Sequence, residues 1–345
     1  MMSAKRIGIV EIPGSFSDRW IEYCSQNNIL VQLINPFSTH LIDETKGMNG
    51  FLWNWNLDDF TASLFARQLI ASLSLYGIKT YPNIKTCWHY DDKVAQKYLL
   101  DTISAPLAPT WIFYSLGEAL DWISATTFPK VFKLRRGAGS ANVKIVKTAN
   151  EARQLCKVAF SSGFNPIPAY TNDLRNKFRQ TQKQKTLFEK FIRAPSVIKS
   201  LIRGRKYFPL ERGYIYFQEY MADNLYDTRI TIIGERGFGF IRRNRPGDFR
   251  ASGSGLIDST LENIDQQLLP IAFDIAQKIE AQSLAMDFVY NLHKRPTLLE
   301  ISYTFAPSAV YQCPGYWDSS LNWHCGHVWP QDAIIEDLLE QGKAG

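Results

Sequence analysis

Two rhythms of hydrophobic and polar positions run along this chain. The first part alternates short apolar runs with amphipathic stretches. RIGIVEI (6–12) is predicted as a buried strand, LVQLINP (30–36) as a second strand and NGFLWNW (49–55) as a third apolar run, with PGSFSDRWIEYCSQNNI supplying a turn and helix between the first two. Residues 58–76 carry Phe60, Leu64, Phe65, Leu69, Leu73 and Tyr76 at helical spacing, and Gly77 closes that helix. Strands alternating with helices predict a parallel α/β unit.

From about residue 91 the texture changes. DDKVAQKYLLDTI predicts a helix with an acidic start suited to its positive end. SAPLAPTWIFYS links into a strand, and SLGEALDWISA predicts a helix capped by Ser115. FPKVFKL and NVKIVKT are strands bracketing the loop RRGAGSA, which is either a phosphate-covering flap or a plain hairpin loop. EARQLCKVAF looks helical, NPIPAYTNDL is a loop, and a basic helical stretch follows, interrupted by Pro195 and Gly204. YIYFQEYM (214–221) is a strand, and DTRITIIGERGFGFIRRN (227–244) is a hairpin turning at 234–237. After the Gly/Ser loop RPGDFRASGSG, residues 258–281 predict one amphipathic helix. LAMDFVYNLHKRPTLLEIS (284–302) then gives two strands joined by a polar turn, and the tail is loop-rich until QDAIIEDLLEQ.

The 345 residues, 45% hydrophobic and 13% aromatic, suffice for two or three packed subdomains. No apolar run reaches the ~18 residues of a membrane-crossing helix. The opening MMSAKRIGIVEI is expected to be a first strand, not a signal peptide. Five scattered cysteines, at 24, 87, 156, 313 and 325, suggest free thiols in a reducing, cytoplasmic setting. Cys313, His324, Cys325 and His327 lie close together, but their spacing matches no common zinc pattern. The net charge of +6 is concentrated. Residues 171–212 hold twelve Lys/Arg against Asp173, Glu189 and Glu211, while residues 1–90 are neutral. Such a block is a solvated helical face or the site of an anionic partner; nucleic acid is not specifically indicated.

The densest chemistry lies in 284–302. Glu300 and Ser302 are two apart and share a strand face, and a hairpin can bring Asp287 alongside. Two carboxylates and a hydroxyl at one end of a sheet suit a hard cation such as Mg²⁺ held with nucleotide phosphates. An ordinary hairpin with solvated acids would carry the same residues. No GxGxxG follows the first strand, no GxSxG is present, and the five histidines form no evident catalytic pair.

Four blocks in order resemble the ATP-grasp superfamily, and within it the glutathione synthetase-like and ribosomal-protein glutamate ligase group. They are DDKVAQKYLL with APLAPT, FPKVFKLRRGAGSANVKIV, YIYFQEYMADNLYDTRITIIGERGFGFIRRNRPGDFRASGSG and LAMDFVYNLHKRPTLLEIS, roughly residues 88–303. The resemblance implies an α/β (α+β) fold in three parts. A parallel α/β domain (1–88) would precede a small subdomain (89–213, with a basic helical insertion at about 165–212) and a large one (214–345), which sandwich ATP.

The resemblance also implies roles. Lys93 and Lys133 match the lysines placed on ATP phosphates, and Gly137, Ala138, Gly139 and Ser140 match the flap. Gln218, Glu219, Tyr220 and Met221 match the hinge strand that recognises adenine, and Asp227 and Arg229 match the DxR of the next hairpin. Arg242 or Arg243, and Arg250, match bases aimed at the transferred phosphate and acyl group, although arginines there could instead pair with local acids. Asp287 and Glu300 match the Mg²⁺ ligands, one or two ions being expected. Ser302 departs from the usual Glu-x-Asn, and Ser252 stands where relatives often have Asn.

The activity implied is an ATP-dependent carboxylate–amine ligase working through an acyl phosphate, on an anionic substrate. A phosphotransferase on the same fold and a non-catalytic polyanion-binding protein are the alternatives, since fold alone does not fix function. The aromatic tail CPGYWDSSLNWHCGHVWP would close the substrate pocket or make a subunit contact, which leaves homo-oligomerisation open.

Overall fold

A computed structural model describes residues 5–137, 142–166, 209–245, 251 and 254–340. The first sheet is parallel, ordered β2-β1-β3-β4, from β1 (Arg6–Ile9), β2 (Leu30–Leu33), β3 (Gly50–Leu52) and β4 (Lys79–Tyr81). Helices α1 (Phe16–Gln26), α2 (Leu41–Glu44) and α3 (Phe60–Leu75) make its crossovers, as the alternation of apolar runs and helical spacing predicts. Asp59 starts α3 by accepting from the Ala62 amide at 3.0 Å. A short helix α4 (Ile84–Cys87) leads to α5 (Lys93–Thr102), whose N-cap Asp92 accepts from the Val94 and Ala95 amides.

The second sheet is antiparallel, ordered β5-β8-β6-β7. It holds β5 (Thr110–Phe113), β6 (Lys130–Lys133), β7 (Val143–Val146) and β8 (Ile215–Glu219), with α6 (Leu116–Ala125) and α7 (Ala149–Ala159) packed on one face. Ser115 caps α6 through the Glu118 amide. The strand at 215–219, expected to open the large subdomain, is central in this small sheet. The reason is register: β8 hydrogen-bonds β5 on one side and β6 on the other.

The third sheet is built on β9 (Tyr226–Ile233) and β10 (Arg236–Arg243), with β11 (Ile257–Asp258) beside β10. Helix α8 (Leu268–Ile279) packs against β9 and β12 (Ser283–Tyr290), which pairs with β13 (Pro296–Ser302). The helix expected over 258–281 is shorter: a 3₁₀ turn at Leu261–Asn263 precedes it, and Pro270 falls in its first turn, where a missing N–H does no harm. The tail departs from expectation. After α9 (Pro307–Tyr311), β14 (Gly315–Asp318) and β15 (Trp323–Cys325) extend the sheet from β10 to the order β13-β12-β9-β10-β14-β15. Helix α10 (Pro330–Glu340) then returns to α1, where Arg19 donates to Asp332 at 2.8 Å and Tyr23 to Glu336 at 3.1 Å.

Three apolar clusters result among the described residues. One joins the first sheet to the third through Trp20, Trp53, Tyr81, Tyr303, Phe305 and Leu338. A second fills the space between α8 and the third sheet. A third belongs to the small sheet alone. All five cysteines are free, Cys325 exposed and the other four buried. Among the described residues, no helix is long and apolar enough to cross a membrane.

Candidate active site

Strand parity decides which side chains meet. On β6, Val131 and Lys133 face a cavity of about 560 Å³ between the small and large sheets, while Lys130 points the other way. Ala285, Asp287 and Val289 line it from β12, Asp227 and Arg229 from β9, and Phe240 and Arg242 from β10. Arg243 has the opposite parity; it lies outside the cavity and pairs with Asp258 at 2.8 Å. On β13 a bulge slips the register, so that Asp287 faces Glu300 while Phe288 faces Leu298. The extra residue puts Leu299 beside Glu300 on the cavity, with Ser302 after them.

The cationic middle of the cavity is dense. Lys93, at the start of α5 and only 5% exposed, donates to the Gly137 carbonyl at 2.7 Å and lies 3.5 Å from Glu300. Lys133 is buried, and burial pushes its ammonium down to about 8; Glu300 opposes that shift and Lys93 adds to it. Gly137 has φ +112°, a conformation that side chains rarely adopt. Its amide donates to Asp91 at 2.7 Å, and Arg136 bonds the other Asp91 oxygen at 3.0 Å. Arg135 bonds Asp92 at 2.9 Å and Glu211 at 3.3 Å, pinning the root of the glycine loop. Gly139 and Ser140 of that loop, together with Ala138, Arg250 and Ser252, lie outside the described residues.

Two arginines and two acids pair beside the lysines. Arg229 donates to both Asp287 oxygens, at 2.7 and 2.9 Å. Arg242 donates to both Asp227 oxygens, at 2.7 and 2.6 Å, and reaches Asp287 at 2.6 Å. Burial alone would raise Asp287, but Arg229 and Arg242 outweigh it and hold the acid well below the usual carboxylate range. Burial outweighs Arg242 at Asp227, whose pKa is raised.

One end is the hinge. Gln218, Glu219, Tyr220 and Met221 all line the cavity. The Glu219 carboxylate takes the buried Lys130 at 2.7 Å, and its amide donates to the Pro109 carbonyl. Asn224 ties the hinge to β12, exchanging hydrogen bonds with the Tyr290 backbone at 2.9 and 3.0 Å.

A divalent ion fits the donor chemistry. Among the described residues no three His, Cys, Asp or Glu side chains are grouped to hold a metal. Mg²⁺, however, needs only one or two protein carboxylates when phosphates complete its shell. Glu300 and Asp287 face each other on the cavity, and the Ser302 hydroxyl, which donates to the Thr304 carbonyl at 2.8 Å, keeps oxygen lone pairs. At the tail, His324 pairs with Asp318 at 2.8 Å and His327 with the Tyr311 carbonyl at 2.8 Å.

Sequence reasoning missed Leu57, Tyr90, Asp91 and Asn224. Each is an ordinary residue whose role comes from the long-range packing of separate segments.

The molecule is similar to several solved structures. One is a RimK domain protein ATP-grasp from Sphaerobacter thermophilus (12% identity, 97% of this chain and 99% of that chain, TM-score 0.58). Another is N5-carboxyaminoimidazole ribonucleotide synthetase from Thermotoga maritima (12% identity, 97% and 76%, TM-score 0.59). A third is D-alanine–D-alanine ligase from Bacillus anthracis complexed with ATP (13% identity, 99% and 99%, TM-score 0.56). No family model and no curated protein matches the sequence. At such identities the likeness is one of fold, and the chain has the fold of the ATP-grasp superfamily.

Proposed function

We propose that this chain is an ATP-dependent carboxylate–amine ligase acting through an acyl phosphate. One observation carries the reading: Lys93, Lys133, Arg229, Arg242, Asp287 and Glu300 converge on one cavity that ends at the hinge strand. In the proposed reaction a substrate carboxylate attacks the γ-phosphorus of ATP and ADP leaves. An amine then attacks the acyl carbon and phosphate leaves, closing an amide bond. Lys93 and Lys133 neutralise charge on the phosphates, and Arg229 and Arg242 stabilise the transferring group and orient the carboxylate. Glu300 and Asp287, with Ser302, would hold Mg²⁺, which supplies charge neutralisation on the phosphate oxygens. Gln218 to Met221 would bind adenine. Gly139, Ser140 and Arg250 keep their proposed parts in the flap and the acyl site. The basic stretch 171–212, of which only 209–212 is described, supports an acceptor amine that carries negative charge.

The test is ADP release across pooled carboxylates, with and without pooled amines that include acidic peptides and anionic polymers, followed by mass analysis of the product. We expect ADP release that requires both pools and a product that has lost one water. The variant Asp287→Asn with Glu300→Gln should be slower by about 10²-fold or more. Wild-type rates in that variant would refute the metal assignment. A stable phosphorylated product formed without amine would make the protein a phosphotransferase.

A further inference from the structure

The cavity continues past the charged groups. Because Asn224 binds the Tyr290 backbone, the hinge end of the cavity lies at that end of β12. From there β12 offers Val289, Asp287 and Ala285 in turn, Ala285 being roughly 13 Å further along by strand rise. Ala285 faces Ser302, and the chain after Ser302 adds Thr304, Phe305, Ala306 and Ala309 to the wall. Tyr90, Phe240, Ala285, Phe305 and Ala309 belong to one apolar cluster, with Leu57 packed against it, and all six line the cavity. Phe240 sits directly opposite Arg229 in the sheet, so this apolar wall borders the guanidinium groups. Among the described residues that line the cavity, every charged side chain belongs to the middle or to the hinge end.

Resting on the ligase reading above, we propose that the acid activated here is a monocarboxylate with an apolar, uncharged body. Its carboxylate meets Arg229 and Arg242, and its body lies against Leu57, Tyr90, Phe240 and Phe305. A second charge on that body would be desolvated against these side chains, which offer it no ionic partner among the described residues. The amine acceptor is a separate molecule, and its charge is not constrained by this wall.

The test measures ADP release by the full chain with saturating Mg-ATP and pooled amines. The acids are hexanoate and 3-phenylpropanoate against glutamate and succinate. Leu57, half-buried on a loop of the first domain, is varied to Asp and to Ala, with ATP binding and circular dichroism as checks of folding. The expected result is turnover of the apolar acids, a KM for them raised roughly tenfold or more in Leu57→Asp and less in Leu57→Ala, and unchanged ATP affinity. Turnover confined to glutamate or succinate overturns the substrate class and leaves the ligase reading standing. Apolar acids turned over with an unchanged KM in Leu57→Asp overturn the placement of the body. ADP release with no acid at all overturns the ligase reading and this inference with it.

Discussion

Lys133 shows how much one side chain depends on its surroundings. Its ammonium, pushed down to about 8 by burial, is charged below that pH and loses its charge above it. The charged form is the one that attracts phosphate, so ATP affinity should fall about tenfold between pH 7 and pH 9. Lys133→Met should bind weakly at both and show no such slope; a flat wild-type profile by calorimetry would contradict this. The sequence made Lys133 visible as part of a motif, and strand alternation explains why Lys130, three residues earlier, faces the other way toward Glu219. It could not choose between Arg242 and Arg243. Their difference is one of parity relative to Phe240, and parity is set by how β10 lies on its neighbours.

At the scale of elements, β1 to β3, α1 and the 284–302 hairpin were legible as apolar runs and an amphipathic stretch, whereas β4, α2 and α4 were not. Helix α3 buries Ala62, Ala66, Ile70 and Leu73 while Leu64, Phe65 and Tyr76 are exposed. The β13 bulge was not legible either, since it arises from pairing: Leu298 turns into the core while Leu299 and Glu300 both face the cavity. The tail, which reads as loop-rich in the sequence, is another case. Its strands are short and rich in Trp, His and Gly, and they form only because β10 offers a free edge. Gly315 is required there: an added Cβ would lie 2.2 Å from the His324 carbonyl oxygen and 2.6 Å from the Trp323 ring. Gly315→Ala should therefore destabilise the protein by about 1–3 kcal/mol in urea unfolding. ATP affinity should be unchanged, because this hairpin lies at the sheet edge opposite β13.

For the whole molecule, the change of rhythm near residue 91 was readable in the sequence, but the way the sheets share cores was not. The last helix, α10, closes the first domain: Leu338 is 2% exposed and belongs to the cluster that joins the first and third sheets. Leu338→Ala should cost about 2–5 kcal/mol. Hydrogen exchange should then rise in β3 and β9 together; acceleration confined to the first sheet would show that the two sheets unfold separately. The small sheet differs, because its apolar cluster includes no residue of the other two. What spans the gap near the glycine loop is polar: Lys93 to the Gly137 carbonyl, Asp91 to Arg136 and the Gly137 amide, and Arg135 to Asp92. Water can replace each of these contacts at a net cost of order 1 kcal/mol, somewhat more for the charged ones. The roof of the cavity is thus latched, not glued. Breaking that latch would leave all three apolar clusters untouched, and a ligand gripped by both Lys133 and Glu300 would act as the bolt across it.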